Sequence, residues 1–301
     1  MNICCTSDFC GSQGDFGSRI REIAEAGFTH YFWCHQWNTD FLYTKPELDE
    51  IKKVQKSAGL KLLDIHGSAG SEKRWFSTTE YMRKAGVELV KNRLDMLDAL
   101  EAEGVLVMHA PNVKYFLPEV ITPEDNDAKN NAAKLEFEAV CRSLDELMPE
   151  LEKRDRKIAI ENLCRDDWSM IDAYLKRYPA ERLGICYDCG HANIYRDRMD
   201  QMDKRKSRLE ATHLHDNDGT GDQHKPVFTG TIDFGRLAKV IATSAYKRPL
   251  SFELSMRNTP FWDPEKDAHG QTEAARRAFL ADAFKGCSKF AEMVEKARSG
   301  N

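Results

Sequence analysis

The side chains of this sequence that could do chemistry collect at the ends of short apolar segments. His66 and His109 end two such segments, and Glu161, Asp188 and Glu253 each end a later one. Carboxylates brought together without a counter-charge repel one another, and desolvation raises their pKa values. A divalent cation resolves this conflict, so the pattern predicts a metal centre with oxygen and nitrogen ligands.

More side chains of the same type follow in the sequence: His191, His213, His215, Asp222 and His224. A site of two glutamates, one aspartate and one histidine suits one divalent ion, with Mn²⁺ favoured and Mg²⁺, Co²⁺ or Zn²⁺ as alternatives. The absence of a converging cysteine argues against a structural thiolate site.

Eight short β-branched or apolar segments alternate with longer segments of helical period. The strands are predicted to begin near Ile3, Thr29, Lys61, Gly104, Lys157, Leu183, Ala211 and Pro249. Eight strand–helix units in 301 residues predict an α/β fold, a single (β/α)8 TIM barrel domain spanning residues 1–301. A doubly wound open sheet is the competing fold, but no glycine-rich nucleotide-binding fingerprint follows any strand.

In such a barrel the active site lies at the C-terminal ends of the strands. Strand side chains alternate between the barrel interior and the helix layer, so Glu161 points inward if Ile160 packs outward. The same alternation turns Asp188 inward opposite Tyr187, and Glu253 inward opposite Phe252.

Taken in order, these motifs resemble the xylose-isomerase-like TIM barrel superfamily, which includes sugar phosphate isomerase/epimerase-like proteins and the endonuclease IV type of AP endonuclease. The resemblance is carried by Ile160-Glu161-Asn162, Asp188-Cys-Gly-His191, His213-Leu-His215-Asp216, Asp222-Gln-His224 and Phe252-Glu253. It implies that Glu161, Asp188, His215 and Glu253 hold the metal. It also implies that Glu161 and Glu253 exchange a proton at the carbon beside a carbonyl, while His191 contacts substrate oxygens.

The activity that this resemblance implies is that of a metal-dependent isomerase or epimerase acting on a sugar, keto-sugar or cyclitol. The same proton removal can expel a leaving group, so a lyase acting on a 3-keto-glycoside, like a C-glycoside deglycosidase, or a dehydratase is the alternative. A trinuclear zinc phosphodiesterase like endonuclease IV is a third hypothesis, in which His66, His109, Asp222 and His224 hold further ions. A sugar-binding barrel without activity is disfavoured, because both glutamates are present.

Aromatic and polar residues near the strand ends are candidates for substrate binding. Flat rings suit the C–H faces of sugars, and a cation suits a phosphate or carboxylate. The predicted substrate-binding residues are Trp33, Trp37, His66, His109, His191, His224 and Arg257. Phe228 stands where many relatives carry glycine, and it is either a pocket wall or a packed loop residue.

The composition indicates which kinds of molecule this protein is expected to bind. A formal net charge of −5 without a basic block disfavours nucleic acid as a partner. No apolar run approaches the roughly 18 residues of a membrane span, and the first residues lack the pattern of a secretory signal. We therefore expect a cytoplasmic enzyme with a small carbohydrate or cyclitol substrate, and a homo-oligomer is compatible with the sequence.

The nine cysteines are expected to be reduced core residues. Cys186 and Cys189 have the spacing of a redox dithiol, but such a motif normally opens a helix, which the following Gly190-His191 does not favour. A redox role is therefore disfavoured.

Overall fold

Strands and helices alternate along the described part of the chain. The computed structural model describes residues 2–11, 15–111, 123–164, 168–194 and 199–300. The strands are β1 (Ile3–Thr6), β2 (His30–Trp33), β3 (Lys61–His66), β4 (Leu106–Met108), β5 (Ile158–Glu161), β6 (Leu183–Asp188), β7 (Leu209–His213) and β8 (Leu250–Phe252). The α-helices are α1 (Phe16–Glu25), α2 (Lys45–Ala58), α3 (Glu80–Ala99), α4 (Pro123–Arg154), α5 (Ser169–Arg177), α6 (Cys189–Asn193), α7 (Met199–Arg205), α8 (Phe234–Ala242) and α9 (Glu273–Arg298).

All neighbouring strands are parallel, in the order β7-β6-β5-β4-β3-β2-β1-β8. The two ends of this order meet at a seam between β7 and β8. Leu214 N donates to Ser251 O at 3.0 Å, and Glu253 N donates to Leu214 O at 3.1 Å. The predicted (β/α)8 barrel is therefore confirmed. Within the described residues, no helix is long and apolar enough to span a membrane.

The helix boundaries follow from capping chemistry, as α2 illustrates. The Thr44 backbone N–H donates to Glu47 Oε2 at 2.7 Å, and Pro46 occupies the first turn, where its missing N–H costs nothing. The helix ends at Gly59, whose φ of 69° is left-handed. A proline in the first turn and a glycine after the last turn predict a helix over 46–58 from the sequence, and the observed helix begins one residue earlier.

The short helix α6 corrects one expectation from the sequence. It begins at Cys189, directly after β6, where no helix was expected. The Asp188 side chain accepts a hydrogen bond from His191 N at 2.6 Å and thereby caps this helix. Cys186 and Cys189 are both buried and unbridged.

The core has two layers, separated by the alternation of side chains along each strand. The barrel lumen is filled by a small apolar set: Cys4, Phe32, Cys34, Leu63, Val105, Val107, Ala159, Cys186 and Ala211. The larger layer lies between sheet and helices and includes Tyr31, Trp33 and Ile65. Polar side chains that continue the lumen-facing rows toward the C-terminal ends of the strands therefore lie next to this apolar layer.

Candidate metal centre and adjoining cavity

The register of the strands decides which chemical groups meet. Glu161 continues the lumen-facing row of Ala159 and is paired with Cys186 of β6. Asp188, two residues beyond Cys186, is paired with His213 of β7. Paired residues of neighbouring parallel strands face the same side of the sheet, and the tilt of the strands shifts the level from one strand to the next. The ends of β5, β6 and β7 therefore bring a glutamate, an aspartate and a histidine to the C-terminal rim of the barrel.

These residues and Glu253 form a compact buried group, which we name the central cluster (Glu161, Asp188, His213 and Glu253). His213 Nδ1 lies 2.8 Å from Glu253 Oε2, 3.0 Å from Glu161 Oε1 and 4.0 Å from Asp188 Oδ2. One ligand-type atom from each residue lies within 4.8 Å of the others. Three carboxylates and one imidazole this close form a donor set that fits a divalent cation.

The two histidines of this rim, His213 and His215, contact different carboxylates. His213 contacts both glutamates, whereas His215 Nε2 lies 3.0 Å from Asp188 Oδ1 and contacts neither. The two histidines continue the same face of β7, but His215 is two residues, or about 6.6 Å, further along the chain. His213 is therefore a candidate ligand in addition to His215, the histidine that the family motifs imply.

A second group, the His66 cluster (His66, His109 and Glu161), adjoins the central cluster. His66 Nε2 lies 3.2 Å from His109 Nε2, which lies 3.1 Å from Glu161 Oε2. Buried Trp75 fixes the end of β4 by donating from Nε1 to His109 O at 2.8 Å. Glu161 thus belongs to two groups at once.

A third group, the Asp222 cluster (His191, His215, Asp222 and His224), lies on the other side of Asp188. Asp222 Oδ2 is 3.1 Å from His224 Nε2 and 3.3 Å from His191 Nε2. The His215 and His224 rings stack at 4.1 Å. The four residues predicted for further ions are therefore divided, with His66 and His109 in one group and Asp222 and His224 in another.

Opposite charges stabilise each other within the central cluster. Burial opposes a charge on His213, but Cys186, Glu161 and Glu253 raise the pKa of His213 well above its ordinary value. Burial also opposes the charge on each glutamate, yet His213 lowers the pKa of Glu161 strongly and helps to lower that of Glu253 to about 2. The charged form of these two glutamates is therefore favoured and needs a positive partner, either a protonated His213 or a metal ion.

The other two clusters have contrasting electrostatics. Burial, followed by the charge of His109, lowers the pKa of His66 to about 4, which leaves its imidazole neutral and able to bind a metal. In the Asp222 cluster burial opposes charge, but hydrogen bonding to Asp222 raises the pKa of His224 to about 10. Burial is likewise outweighed at Asp222, where His191 and His224 lower the pKa.

A cavity of about 310 Å³ opens beside the central cluster. Its lining residues are Asp8, Gly11, Trp37, Asn38, His224, Glu253, Leu254, Ser255 and Arg257. Three predicted substrate-binding residues, Trp37, His224 and Arg257, thus lie on its wall. The Trp37 ring also packs on the rings of His66, at 4.7 Å, and His109, at 5.2 Å.

Two aromatic residues lie away from this cavity. Trp33 is buried between sheet and helices, where its Nε1 donates to the Tyr43 hydroxyl at 3.1 Å, because β2 turns Phe32 toward the lumen instead. Phe228 has a φ of 69° and packs its ring against Phe234 at 4.8 Å. It is therefore a packed loop residue, which answers the alternative left open by the sequence.

Gly190 allows the Asp222 cluster to form. A Cβ atom at this position would lie 1.9 Å from His215 Cε1, so an alanine must displace the ring. We expect Gly190→Ala to lower the free energy of unfolding by about 2 kcal/mol, the usual cost of overpacking, as measured by chemical denaturation. Gly221→Ala is the matched control, because a Cβ atom added there would have no neighbouring atom within 4 Å. Equal stability of the two variants would contradict the assigned contact.

Comparison with known proteins identifies the class of molecule. The family model described as "Xylose isomerase-like TIM barrel" matches residues 20–281. The chain is 30% identical over 260 residues to the uncharacterized protein y4fM of Sinorhizobium fredii, covering 78% of this chain and 79% of that protein. The chain belongs to the xylose isomerase-like TIM barrel family, as its motifs predicted.

Solved structures of low sequence identity share the fold. A D-tagatose 3-epimerase-like protein superposes with a TM-score of 0.72 at 18% identity, covering 98% of this chain and 99% of that one. The 3-keto-D-glucoside 4-epimerase of E. coli superposes with a TM-score of 0.65 at 20% identity, covering 95% and 99%. Both similarities extend over nearly the whole barrel.

Proposed function

We propose that this protein is a divalent-metal-dependent isomerase or epimerase that moves a proton at the carbon beside a carbonyl of a sugar, keto-sugar or cyclitol. One observation carries the proposal. Glu253 belongs to the buried central cluster and also lines the adjoining cavity. A carboxylate in that position can reach a bound substrate while remaining beside the charges that control its protonation.

The residues proposed to hold the ion are Glu161, Asp188, His213 and Glu253, with Mn²⁺ favoured and Mg²⁺, Co²⁺ or Zn²⁺ as alternatives. When bound, the ion supplies Lewis-acid stabilisation of negative charge on the oxygens next to the reacting carbon. Asp188 is fully buried, and His215 Nε2 approaches both of its oxygens, which fixes its orientation. Such fixed outer contacts orient the residues that bind a metal.

Side chains of the central cluster and of the cavity wall then transfer the proton and bind the substrate. Glu253 removes the carbon-bound proton from its side of the substrate, and Glu161 returns or removes it from the other. Trp37 presents a ring to the C–H face of the sugar, while His224 and Arg257 orient its oxygens from the same cavity wall. His191 is held by Asn162 O, 2.9 Å from its Nδ1, so its other nitrogen faces Asp222.

A second candidate function is metal-dependent phosphodiester cleavage. The observation in its favour is that the ligand-type residues form several overlapping groups, among them the three clusters described above, which would suit more than one ion. The net charge of −5 weighs against it, because binding a phosphate backbone requires clustered positive charge.

Two measurements test these alternatives. Elemental analysis of protein purified without chelator should give about one Mn, Mg, Co or Zn per chain. Incubation in D₂O with D-tagatose, D-fructose and methyl 3-keto-glucoside should give deuterium incorporation into at least one of them, detected by NMR. A released aglycone would instead identify the lyase. Absence of exchange and release, with two or three zinc ions per chain and cleavage of abasic-site DNA, would replace the proposal with the phosphodiesterase.

Metal removal should also destabilise the fold, because it leaves buried carboxylates without their divalent counter-charge. An ion present at a hundredfold excess over its dissociation constant stabilises a protein by about 3 kcal/mol. We therefore expect chelation with EDTA to lower the melting temperature by several degrees, on the order of 5 °C, as measured by calorimetry. Addition of excess Mn²⁺ should restore it. An unchanged melting temperature would contradict ion binding in the buried clusters.

A further inference from the structure

The first strand carries a carboxylate that the sequence-based site did not include. Cys4 and Thr6 of β1 face the lumen, and Asp8 follows at the next position of the same alternation. The Thr6 hydroxyl donates to Asp8 Oδ1 at 2.5 Å, which holds the carboxylate at the C-terminal rim of the barrel. Asp8 is thus delivered to the rim by the alternation that also delivers Glu161 and Asp188.

Asp8 and Glu253 line the same cavity, together with Trp37 and Arg257. The segment bearing Asp8 is tied to the chain after β8, since Met256 N donates to Phe9 O at 2.7 Å. Phe9 is fully buried, which fixes this connection in the core. The two carboxylates are therefore mounted on adjoining strand ends and held in a defined relation, as a preorganised binding site requires.

Among the described residues, one oxygen of the Asp8 carboxylate accepts a hydrogen bond from another side chain. Thr6 occupies Oδ1, and among the residues that the structure describes no hydrogen bond or ion pair is made to Oδ2. Asp8 is partly exposed and lines this cavity, so its carboxylate can accept a hydrogen bond from a molecule that enters the cavity. The hydroxyl groups of a polyhydroxylated molecule supply donors of the required kind.

We propose that Asp8 is a substrate-binding residue, which accepts a hydrogen bond from a sugar hydroxyl on the Glu253 side of the reacting carbon and so selects the configuration of that hydroxyl. The inference rests on the proposed function and adds to it a residue that determines specificity. A hydroxyl of the opposite configuration would point away from Asp8 Oδ2 and leave this carboxylate without its donor.

The test compares Asp8→Asn with wild type in the deuterium exchange assay, with Asp49→Asn on exposed α2 as the matched control for loss of charge. For the sugar that wild type exchanges best, Asp8→Asn should raise KM by about 10- to 100-fold and change kcat less. Its metal content and melting temperature should equal those of wild type. A purely structural residue would alter those two properties instead.

Monodeoxy analogues of the same sugar identify the contact. With wild type, removal of one particular hydroxyl should lower kcat/KM as much as Asp8→Asn lowers it for the parent sugar. With Asp8→Asn, removal of the same hydroxyl should lower kcat/KM little further. If wild type exchanges the proton and Asp8→Asn has the same KM as wild type, the role of Asp8 is wrong and the proposed function still stands. Absence of exchange by metal-loaded wild type with every sugar would overturn the proposed function and, with it, the role of Asp8.

Discussion

Glu253→Gln will reduce the rate of proton exchange per bound metal ion by about a thousandfold or more. The amide keeps an oxygen that can face the ion but cannot accept a proton from carbon, and a positioned base contributes about 10²–10⁴ in rate. Deuterium incorporation from D₂O should be measured at saturating Mn²⁺, with metal content determined on the same sample. The comparison of rate per ion separates the loss of the base from the loss of the ligand.

The matched control for this variant is Glu265→Gln, which removes an exposed carboxylate from the chain after β8. Its exchange rate should equal that of wild type. A Glu253→Gln protein with more than about one tenth of the wild-type rate would show that Glu253 is not the base. Glu161, the other glutamate of the central cluster, would then be tested in the same way.

His213→Ala will remove the bound ion, whereas His215→Ala will only weaken its binding. His213 contacts both glutamates, while His215 contacts Asp188, which it orients in the proposed site. Loss of an outer contact typically costs 10- to 100-fold in metal affinity. Elemental analysis after dialysis should therefore find less than about one tenth of an ion in His213→Ala, and His215→Ala should regain a full ion at high Mn²⁺ concentration.

His269→Ala, which removes an exposed histidine, is the control and should keep a full ion. Circular dichroism should show that each variant is folded, and His213→Gln offers a second variant that retains more of the buried volume. Full occupancy in His213→Ala together with an empty His215→Ala would restore the ligand set that the family motifs imply.

The barrel was predictable because its signals are local. Each strand is a short apolar segment with a glycine or capping residue nearby, and the strands predicted near Ile3, Lys61 and Leu183 begin at those residues. The helix that opens at Cys189 was not predicted, since its cap is the side chain of Asp188, itself a member of the central cluster. Because Asp188 was interpreted as a metal ligand, its second role as a helix cap was not recognised in the sequence.

The site was predictable in its composition but not in its register. Strand-end positions correctly brought Glu161, Asp188 and Glu253 together, because C-terminal ends of parallel strands converge. The ligand histidine stays a prediction, because His213 and His215 both follow the lumen-facing row of β7 and only their contacts in the folded barrel differ.

One aromatic and one acidic residue show the same limit. Trp33 faces the helices and not the cavity. Side chains of β2 alternate between the lumen and the helix layer, and the sequence does not show whether Phe32 or Trp33 faces the lumen, because both are aromatic. Asp8 could have been found from the alternation of Cys4 and Thr6. It lies just beyond the end of β1, in a segment without a recognisable motif, and so gave no other signal.

The seam between β7 and β8 links the chemistry to the order of folding. His213 and Asp188 lie on one side of this seam and Glu253 on the other, joined by the backbone hydrogen bonds of Leu214. A chain with only its first six units formed carries Glu161 and Asp188 but has no complete site. An ion bound by the central cluster would therefore link the two sides of this seam and stabilise the closed barrel. Opening of the seam, by heat or by a protease, would release the ion.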